Sequence, residues 1–370
     1  MSLTQSTPLR RDMGRTRDVS GRDSAIELLR VLAMCGVVVL HYNNIEIGGG
    51  LKWAEGANRW VLIGLESVFI CAVDLYILIS GYFLSASDRR RAIKPIEMVV
   101  QVVLFGLAVG LLRAALQGNW SLMSILGPAI PNNYFVTLYV VVYLLSPYLN
   151  LLFRRLSDER MAFLTGLLMT LFSLWLTTLD LVENITGYAF TGMSTVNAYE
   201  SQSGYTIVNF MLLYTLGTYL RRREGQPDKR PWYVFFAAFV GNTLVLTMWA
   251  NWFPGSAWAY SNPLVIANAC LIFLAFRQWR LSSKTVRILA KGAFSCYLLH
   301  GIFITRIGIE RAVTGSTGGL LIHVALSAMG LYLICWVAWV VWNAVTARFF
   351  HWIGGKLTVW DDKISLTDEE

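Results

Sequence analysis

The chain has 370 residues, of which 55% are hydrophobic and 15% are charged, and its mean hydropathy is +0.52. A soluble domain with a polar surface does not sustain such a composition, so the sequence predicts a membrane protein. The net charge of +8 lies in short clusters between apolar runs, which argues against nucleic acid as a partner and favours basic loops that orient helices in a membrane.

Apolar segments recur along the whole chain, and ten of them reach the length of about 20 residues that a membrane-spanning helix needs. They cover 24–44, 60–84, 95–116, 134–153, 161–181, 204–221, 231–251, 261–278, 292–310 and 319–345. With the N-terminus placed in the cytoplasm, the internal loops contain seventeen Lys and Arg residues and the external loops contain four. The sequence therefore predicts an all-α polytopic membrane protein with about ten transmembrane helices and both termini in the cytoplasm.

The sequence predicts one membrane domain with a short tail on each side. Residues 1–23 form a flexible basic cytoplasmic tail, 24–345 the transmembrane domain, and 346–370 an interfacial tail on the cytoplasmic side. The five cysteines lie inside apolar segments, without the spacing of metal ligands or redox pairs. We expect no metal site and no bound cofactor.

The first apolar segment contains Arg30 and His41, eleven positions apart. Eleven residues make about three helical turns, so both side chains lie on one face, roughly 16 Å apart along the axis. Arg suits a phosphate and neutral His accepts a proton, and ionisable groups inside a membrane usually face a protein interior or an aqueous cavity. The alternative is that Arg30 extends to the membrane surface and pairs with Glu27, while His41 bonds a backbone group.

Two carboxylates in the second segment could belong to the same site as Arg30 and His41. Asp74 lies about two turns from the cytoplasmic end, where Arg30 is the expected partner of a buried carboxylate. Glu66 lies at about the depth of His41 and could orient the imidazole.

The cytoplasmic end of the second segment is where the phosphates of a ligand entering from the cytoplasm would arrive. Ser80 is followed by Gly81, at which either a ligand or a neighbouring helix could approach the backbone closely. A basic cluster comes next and either binds phosphate or only anchors the topology. It consists of Arg89, Arg90, Arg91 and Lys94.

Four stretches together resemble the acyltransferase-3 family of multi-pass membrane acyltransferases. They are Arg30-x10-His41, Asp74-Leu-Tyr-Ile-Leu-Ile-Ser-Gly81, Tyr134-Phe135 and Tyr297-Leu-Leu-His300. The resemblance implies functional roles for Arg30 and His41 and raises His300 as a further candidate. Tyr76 stands where the family usually has phenylalanine, and Tyr134 where it often has tryptophan.

The resemblance implies transfer of an acyl group, commonly acetyl from acetyl-CoA, to a hydroxyl of a surface polysaccharide, lipid-linked oligosaccharide or other glycan. We expect His41 to act as the general base with help from Glu66, and Arg30, Asp74, Ser80 and the basic cluster to bind the donor. Acyl-CoA, a glycan acceptor and membrane lipid are then the partners, and a bacterial inner membrane is the expected location. The alternative is a transporter or flippase, whose intramembrane charges would line a translocation path.

Overall fold

A computed structural model describes residues 24–131, 133–196, 202–225 and 230–366 of the chain. This part of the chain contains helices and no strand, which confirms the all-α class. The predicted basic tail, residues 1–23, lies outside the described residues. The α-helices are α1 (Ser24–Asn43), α2 (Gly50–Trp53), α3 (Gly56–Phe69), α4 (Ala72–Leu84), α5 (Ile93–Gln117), α6 (Leu122–Leu126), α7 (Tyr134–Arg154), α8 (Asp158–Met169), α9 (Trp175–Thr186), α10 (Ile207–Arg222), α11 (Trp232–Ala250), α12 (Pro254–Ala257), α13 (Pro263–Arg277), α14 (Lys284–Ala290), α15 (Ala293–Ile304), α16 (Ile309–Val313), α17 (Thr317–Lys356) and α18 (Thr358–Ile364).

Seven helical spans in the described residues are long and apolar enough to cross a membrane. They are α1, α3 with α4, α5, α7, α8 with α9, α11 and α17. Helices α14 and α15 meet at an angle of 57°, and if the two together are counted as one span, the number of spans is eight. The chain is thus a polytopic integral membrane protein.

Three of the ten predicted spans are helices shorter than a bilayer is thick, namely α10, α13 and the 12-residue α15. Helix α10 has 16 residues and α13 has 15, which is about 24 Å of helix against a hydrocarbon core of about 30 Å. The side chains of Thr206 and Asn262 accept hydrogen bonds from the first turns of α10 and α13 and fix where these helices begin. Sequence windows count apolar residues across such caps and therefore overestimate helix length.

The last long helix, α17, has 40 residues and extends about 60 Å, twice the thickness of the hydrocarbon core. The helix continues past residue 345, the predicted boundary between the membrane domain and the tail, and ends at Lys356. The segment that follows contacts the loop after α4, since Asp361 accepts a 2.6 Å hydrogen bond from the backbone N–H of Ala92.

The loops predicted to be cytoplasmic contact one another at one end of the bundle, called here the basic end because it carries Arg90, Arg154, Arg222 and Arg287. Arg287 at this end donates to Ser24 at the start of α1. Arg154 and Arg222, near the ends of α7 and α10, contact Asp88 and the carbonyl of Phe153, and the backbone of Arg90 contacts Ser365. The N-terminal residue of α1 and the C-terminal segment therefore lie at the same end.

Helix α1 lies in the centre of the bundle and packs against α3, α4, α13, α14, α15 and α17. Its charged groups therefore face protein rather than lipid. Beside it, α4 and α10 pack closely at Gly81 and Gly217. A Cβ on Gly81 would lie 2.4 Å from the carbonyl oxygen of Tyr214. Of the two expectations for Gly81, the structure supports close approach of a helix.

Candidate active site

The imidazole rings of His41 on α1 and His300 on α15 contact each other near the centre of the bundle. Their centroids are 4.6 Å apart and their planes are inclined by 73°, an edge-to-face arrangement. His300 is 4% exposed, so this contact is shielded from solvent. The two candidate histidines of the sequence analysis thus form one pair.

Both rings are held by their own helices in the same way. Nδ1 of His41 is 2.9 Å from the carbonyl oxygen of Val37, and Nδ1 of His300 is 2.7 Å from that of Cys296. A carbonyl oxygen only accepts, so each Nδ1 carries a proton and each neutral ring keeps its lone pair on Nε2. Nε2 of His300 is buried and has no hydrogen-bond partner in the described part of the chain. The pair therefore presents two unprotonated nitrogens, the form that a general base needs.

A cavity of about 610 Å³ opens between α1, α4, α5, α7, α15 and α17, and its volume suits a small-molecule ligand. Glu27 and Arg30 line it near the start of α1, and Lys94 and Lys291 line it near the starts of α5 and α15. It therefore opens toward the basic end.

The inner end of this cavity lies directly below the histidine pair. Val37 and Tyr297 both line it. His41 follows Val37 by four residues and His300 follows Tyr297 by three, so each histidine lies one helical turn farther along its helix. The cavity thus leads from the basic end to within one helical turn of the two imidazoles, neither of which lines it.

Arg30 lies inside the cavity and pairs with Glu27, with 2.9 Å between Nη1 and Oε1. Its guanidinium also lies 5.8 Å from the ring centre of Phe83, and its carbonyl oxygen accepts a 2.6 Å hydrogen bond from the hydroxyl of Tyr76. The Glu27 pairing that the alternative hypothesis predicts is therefore present, but the guanidinium faces a cavity and its side chain remains 29% exposed.

The predicted pairing of Asp74 with Arg30 is wrong. Oδ1 of Asp74 is 3.5 Å from Nδ2 of Asn209 on α10, and Oδ2 is buried without a partner in the described residues. The reason is the face of α4 that each residue occupies. Val73, Tyr76 and Ser80 line the cavity, and Asp74, one residue or about 100° farther around the helix than Val73, faces α10.

The predicted contact between Glu66 and His41 is also absent from the described residues. Oε2 of Glu66 accepts a 2.8 Å hydrogen bond from the side-chain amide of Asn43, which is two residues past His41 and on another face of α1. The imidazole of His41 is instead held through Nδ1 by the Val37 carbonyl.

The predicted basic cluster separates into residues with different surroundings. Only Lys94 lines the cavity, while Arg89 and Arg91 are exposed outside it. Arg90 is 3% exposed and donates to the hydroxyl of Ser146 and to the carbonyls of Leu84, Ser87 and Arg89. It satisfies carbonyls at the end of α4, a structural role.

Of the two predicted aromatic positions, Tyr76 lines the cavity and Tyr134 does not. Ser80 lines the cavity too, with its hydroxyl donating to the Tyr76 carbonyl at 2.8 Å. Tyr134 lies outside the cavity lining and packs edge to face on Tyr205, which packs in the same way on Tyr260, at 4.7 and 4.9 Å.

Sequence reasoning counted Lys291 only as a loop cation and did not consider Trp339. Both line the cavity, and the Lys291 ammonium lies 5.9 Å from the Trp339 ring centre. The signal for Lys291 was its position just before the apolar stretch that ends in His300. Nothing in the sequence places Trp339 beside it.

The model of the acyltransferase-3 family, described as an acyltransferase domain, matches residues 23–340 of the chain. No curated protein and no solved structure matches the chain. The matched region contains the histidine pair and nearly the whole wall of the cavity.

Proposed function

Because the chain belongs to the acyltransferase-3 family, we propose that this membrane acyltransferase moves an acyl group, commonly acetyl, from acyl-CoA to a hydroxyl of a surface polysaccharide, lipid-linked oligosaccharide or other glycan. We place it in a bacterial inner membrane. One observation carries the proposal, namely that the cavity leads from the basic end to one turn below His41 and His300.

The donor enters from the basic end, which the distribution of Lys and Arg assigns to the cytoplasm. Arg30 and Lys94 bind its phosphates near the mouth of the cavity, because guanidinium and ammonium groups form charge-assisted hydrogen bonds with phosphate. Roughly 16 Å of helix separates Arg30 from His41, a distance that the extended pantetheine arm can cross. Tyr76 and Ser80 line the path of that arm.

His41 performs the proton transfer. Its Nε2 takes the proton from the acceptor hydroxyl while the hydroxyl oxygen attacks the thioester carbonyl. A C–O bond forms, the C–S bond breaks, and the proton passes from His41 to the departing CoA thiolate. In a two-step variant, Nε2 attacks the thioester carbonyl and CoA leaves as the thiolate; the acceptor hydroxyl then attacks the acyl carbon, the N–C bond to His41 breaks, and the hydroxyl proton passes to the thiolate. Val37 holds the Nδ1 proton in both routes, so that Nε2 is the reactive nitrogen.

His300 is assigned as a positioning residue. Its ring edge packs against His41, and its unpartnered Nε2 can stabilise charge that develops on the neighbouring imidazole. His41 alone then exchanges the proton.

The proposal is tested with the full chain in lipid nanodiscs, acetyl-CoA labelled in the acetyl group, and lipid-linked oligosaccharides extracted from the source membranes. The expected result is a labelled ester that alkali releases, formed in equal amount to free CoA. Movement of unmodified oligosaccharide across a proteoliposome membrane, with no labelled ester, would overturn the proposal in favour of a transporter.

A further inference from the structure

The bend between α14 and α15 brings a cation to the mouth of the cavity. Lys291 follows the last residue of α14, and Gly292 precedes α15. The two helices meet at 57°. Lys291 lines the cavity at this bend, whereas Lys94 lines it from the start of α5.

Helix α17 fixes the geometry of this bend. At the end of α14, the carbonyls of Ile288 and Leu289 accept backbone N–H groups of the bend, and two side chains of α17 donate to the same carbonyls. The hydroxyl of Tyr332 donates to the carbonyl of Leu289 at 2.8 Å, and the indole N–H of Trp336 donates to that of Ile288 at 3.1 Å. A Cβ on Gly292 would lie 2.5 Å from Cδ1 of Trp336, so a larger residue would force the helices apart. The backbone that carries Lys291 is therefore held in place.

Two of the three cations that line the cavity, Lys94 and Lys291, have no carboxylate partner in the described part of the chain. Arg30 is paired with Glu27, whereas Lys94 and Lys291 are exposed and form no ion pair within the described ranges. Glu97 is the second carboxylate of the lining. The lining thus carries a net positive charge, which favours an anionic ligand.

Beside Lys291, the wall of the cavity is aromatic. Phe294 and Trp339 line it and are half-buried, so part of each ring remains accessible. A flat heteroaromatic base stacks favourably on such rings, and an ammonium group next to the stack can bind a phosphate of the same nucleotide. The Lys291 ammonium lies 5.9 Å from the centre of the Trp339 ring, close enough for one nucleotide to contact both side chains.

We propose that Lys291 and Trp339 bind the nucleotide part of the CoA donor, with the Lys291 ammonium on a phosphate and the Trp339 indole stacked on the adenine. The assignment rests on the proposed function. It adds a phosphate contact at the bend between α14 and α15 to those proposed for Arg30 and Lys94.

The test compares two thioester donors in nanodiscs of phosphatidylcholine. With acetyl-CoA, Lys291→Ala and Trp339→Leu should each raise KM roughly tenfold, and Trp339→Phe should stay within about threefold of the wild type. With acetyl-pantetheine, which lacks the nucleotide, the KM ratio of each variant to the wild type should fall to about one. Lys284→Ala is the matched control, since Lys284 is an exposed cation of α14 outside the cavity lining.

Three outcomes overturn the proposal. Unchanged acetyl-CoA KM in both variants removes the subsite, and an equal defect with acetyl-pantetheine shows general damage to the cavity. A Lys291→Ala defect that appears with both donors, and only when phosphatidylglycerol is added, assigns the ammonium to a lipid phosphate. Equilibrium dialysis of wild-type protein with labelled CoA separates these results from failure of the proposed function, in which the wild type itself would not bind CoA.

Discussion

The imidazole of His300 packs edge to face against that of His41, with 4.6 Å between the ring centroids. His41 comes from α1 and His300 from α15, and both Nδ1 atoms are held by a carbonyl one turn earlier. The cavity ends one helical turn short of both rings, at Val37 and Tyr297.

Replacement of His300 should lower the rate of transfer without weakening donor binding. We expect His300→Gln to reduce kcat about tenfold or more, because the charge forming on His41 loses its neighbour, while KM for acetyl-CoA stays within about threefold. The pH profile of kcat should also change shape, which a purely structural defect would not produce. His351→Gln is the control, since His351 is exposed outside the cavity lining. A large rise in KM with unchanged kcat would place His300 in donor binding instead.

Replacement of Arg30 should show the opposite pattern. Arg30→Ala removes a cation that lines the cavity, so KM for acetyl-CoA should rise about tenfold with a smaller change in kcat. Arg30→Lys should recover part of the loss, because it keeps the charge but not the planar guanidinium. Steady-state kinetics with varied acetyl-CoA checks this, and an unchanged KM in Arg30→Ala would remove Arg30 from the donor site.

Substitution of Arg90 should lower the stability of the protein, whereas substitution of Arg89 or Arg91 should not. Arg90→Ala removes the four hydrogen bonds of a buried guanidinium, to the Ser146 hydroxyl and to the carbonyls of Leu84, Ser87 and Arg89, and should cost about 3 kcal/mol of folding free energy. Arg89→Ala and Arg91→Ala change exposed side chains and should leave the unfolding temperature in detergent nearly unchanged. Equal unfolding temperatures for Arg89→Ala and Arg90→Ala would contradict the structural role.

The contact between α4 and α10 should not tolerate a methyl group. Gly81→Ala would place a Cβ 2.4 Å from the Tyr214 carbonyl, so the helices must separate and the unfolding temperature should fall. Gly241→Ala on α11 is the matched control, because a Cβ there meets nothing within 4 Å and Ala favours the helix by about 1 kcal/mol. A fall in Gly241→Ala as large as that in Gly81→Ala would show that the defect is not specific to this contact.

Helical periodicity and hydropathy were sufficient for the all-α membrane fold and for the shared face of Arg30 and His41. They were insufficient to predict side-chain contacts between helices, because such contacts depend on which face of one helix packs against another. Asp74 and Val73 are adjacent in sequence, yet Val73 lines the cavity and Asp74 faces Asn209. His41 and His300 lie on helices that are far apart in the chain, and a single sequence does not show that these two helices are neighbours.

The basic cluster shows a second limit of sequence reasoning. Four cations close together give no sign of which one is buried, because burial depends on the carbonyls that α4 leaves free at its end. Arg90 is engaged by those carbonyls, while Lys94, only four residues later, lines the cavity. Lys291 belongs to a distant loop and reaches the same cavity only through the bend between α14 and α15.

The central claim is that Nε2 of His41 is the reactive base at the inner end of the donor cavity. The most direct test measures the rate of labelled acetyl transfer to the glycan by His41→Ala and His41→Gln in nanodiscs, with CoA binding followed by equilibrium dialysis. We predict a loss of at least about a hundredfold in both variants, with CoA affinity within about threefold of the wild type. Transfer by either variant at a rate close to that of the wild type would contradict the claim.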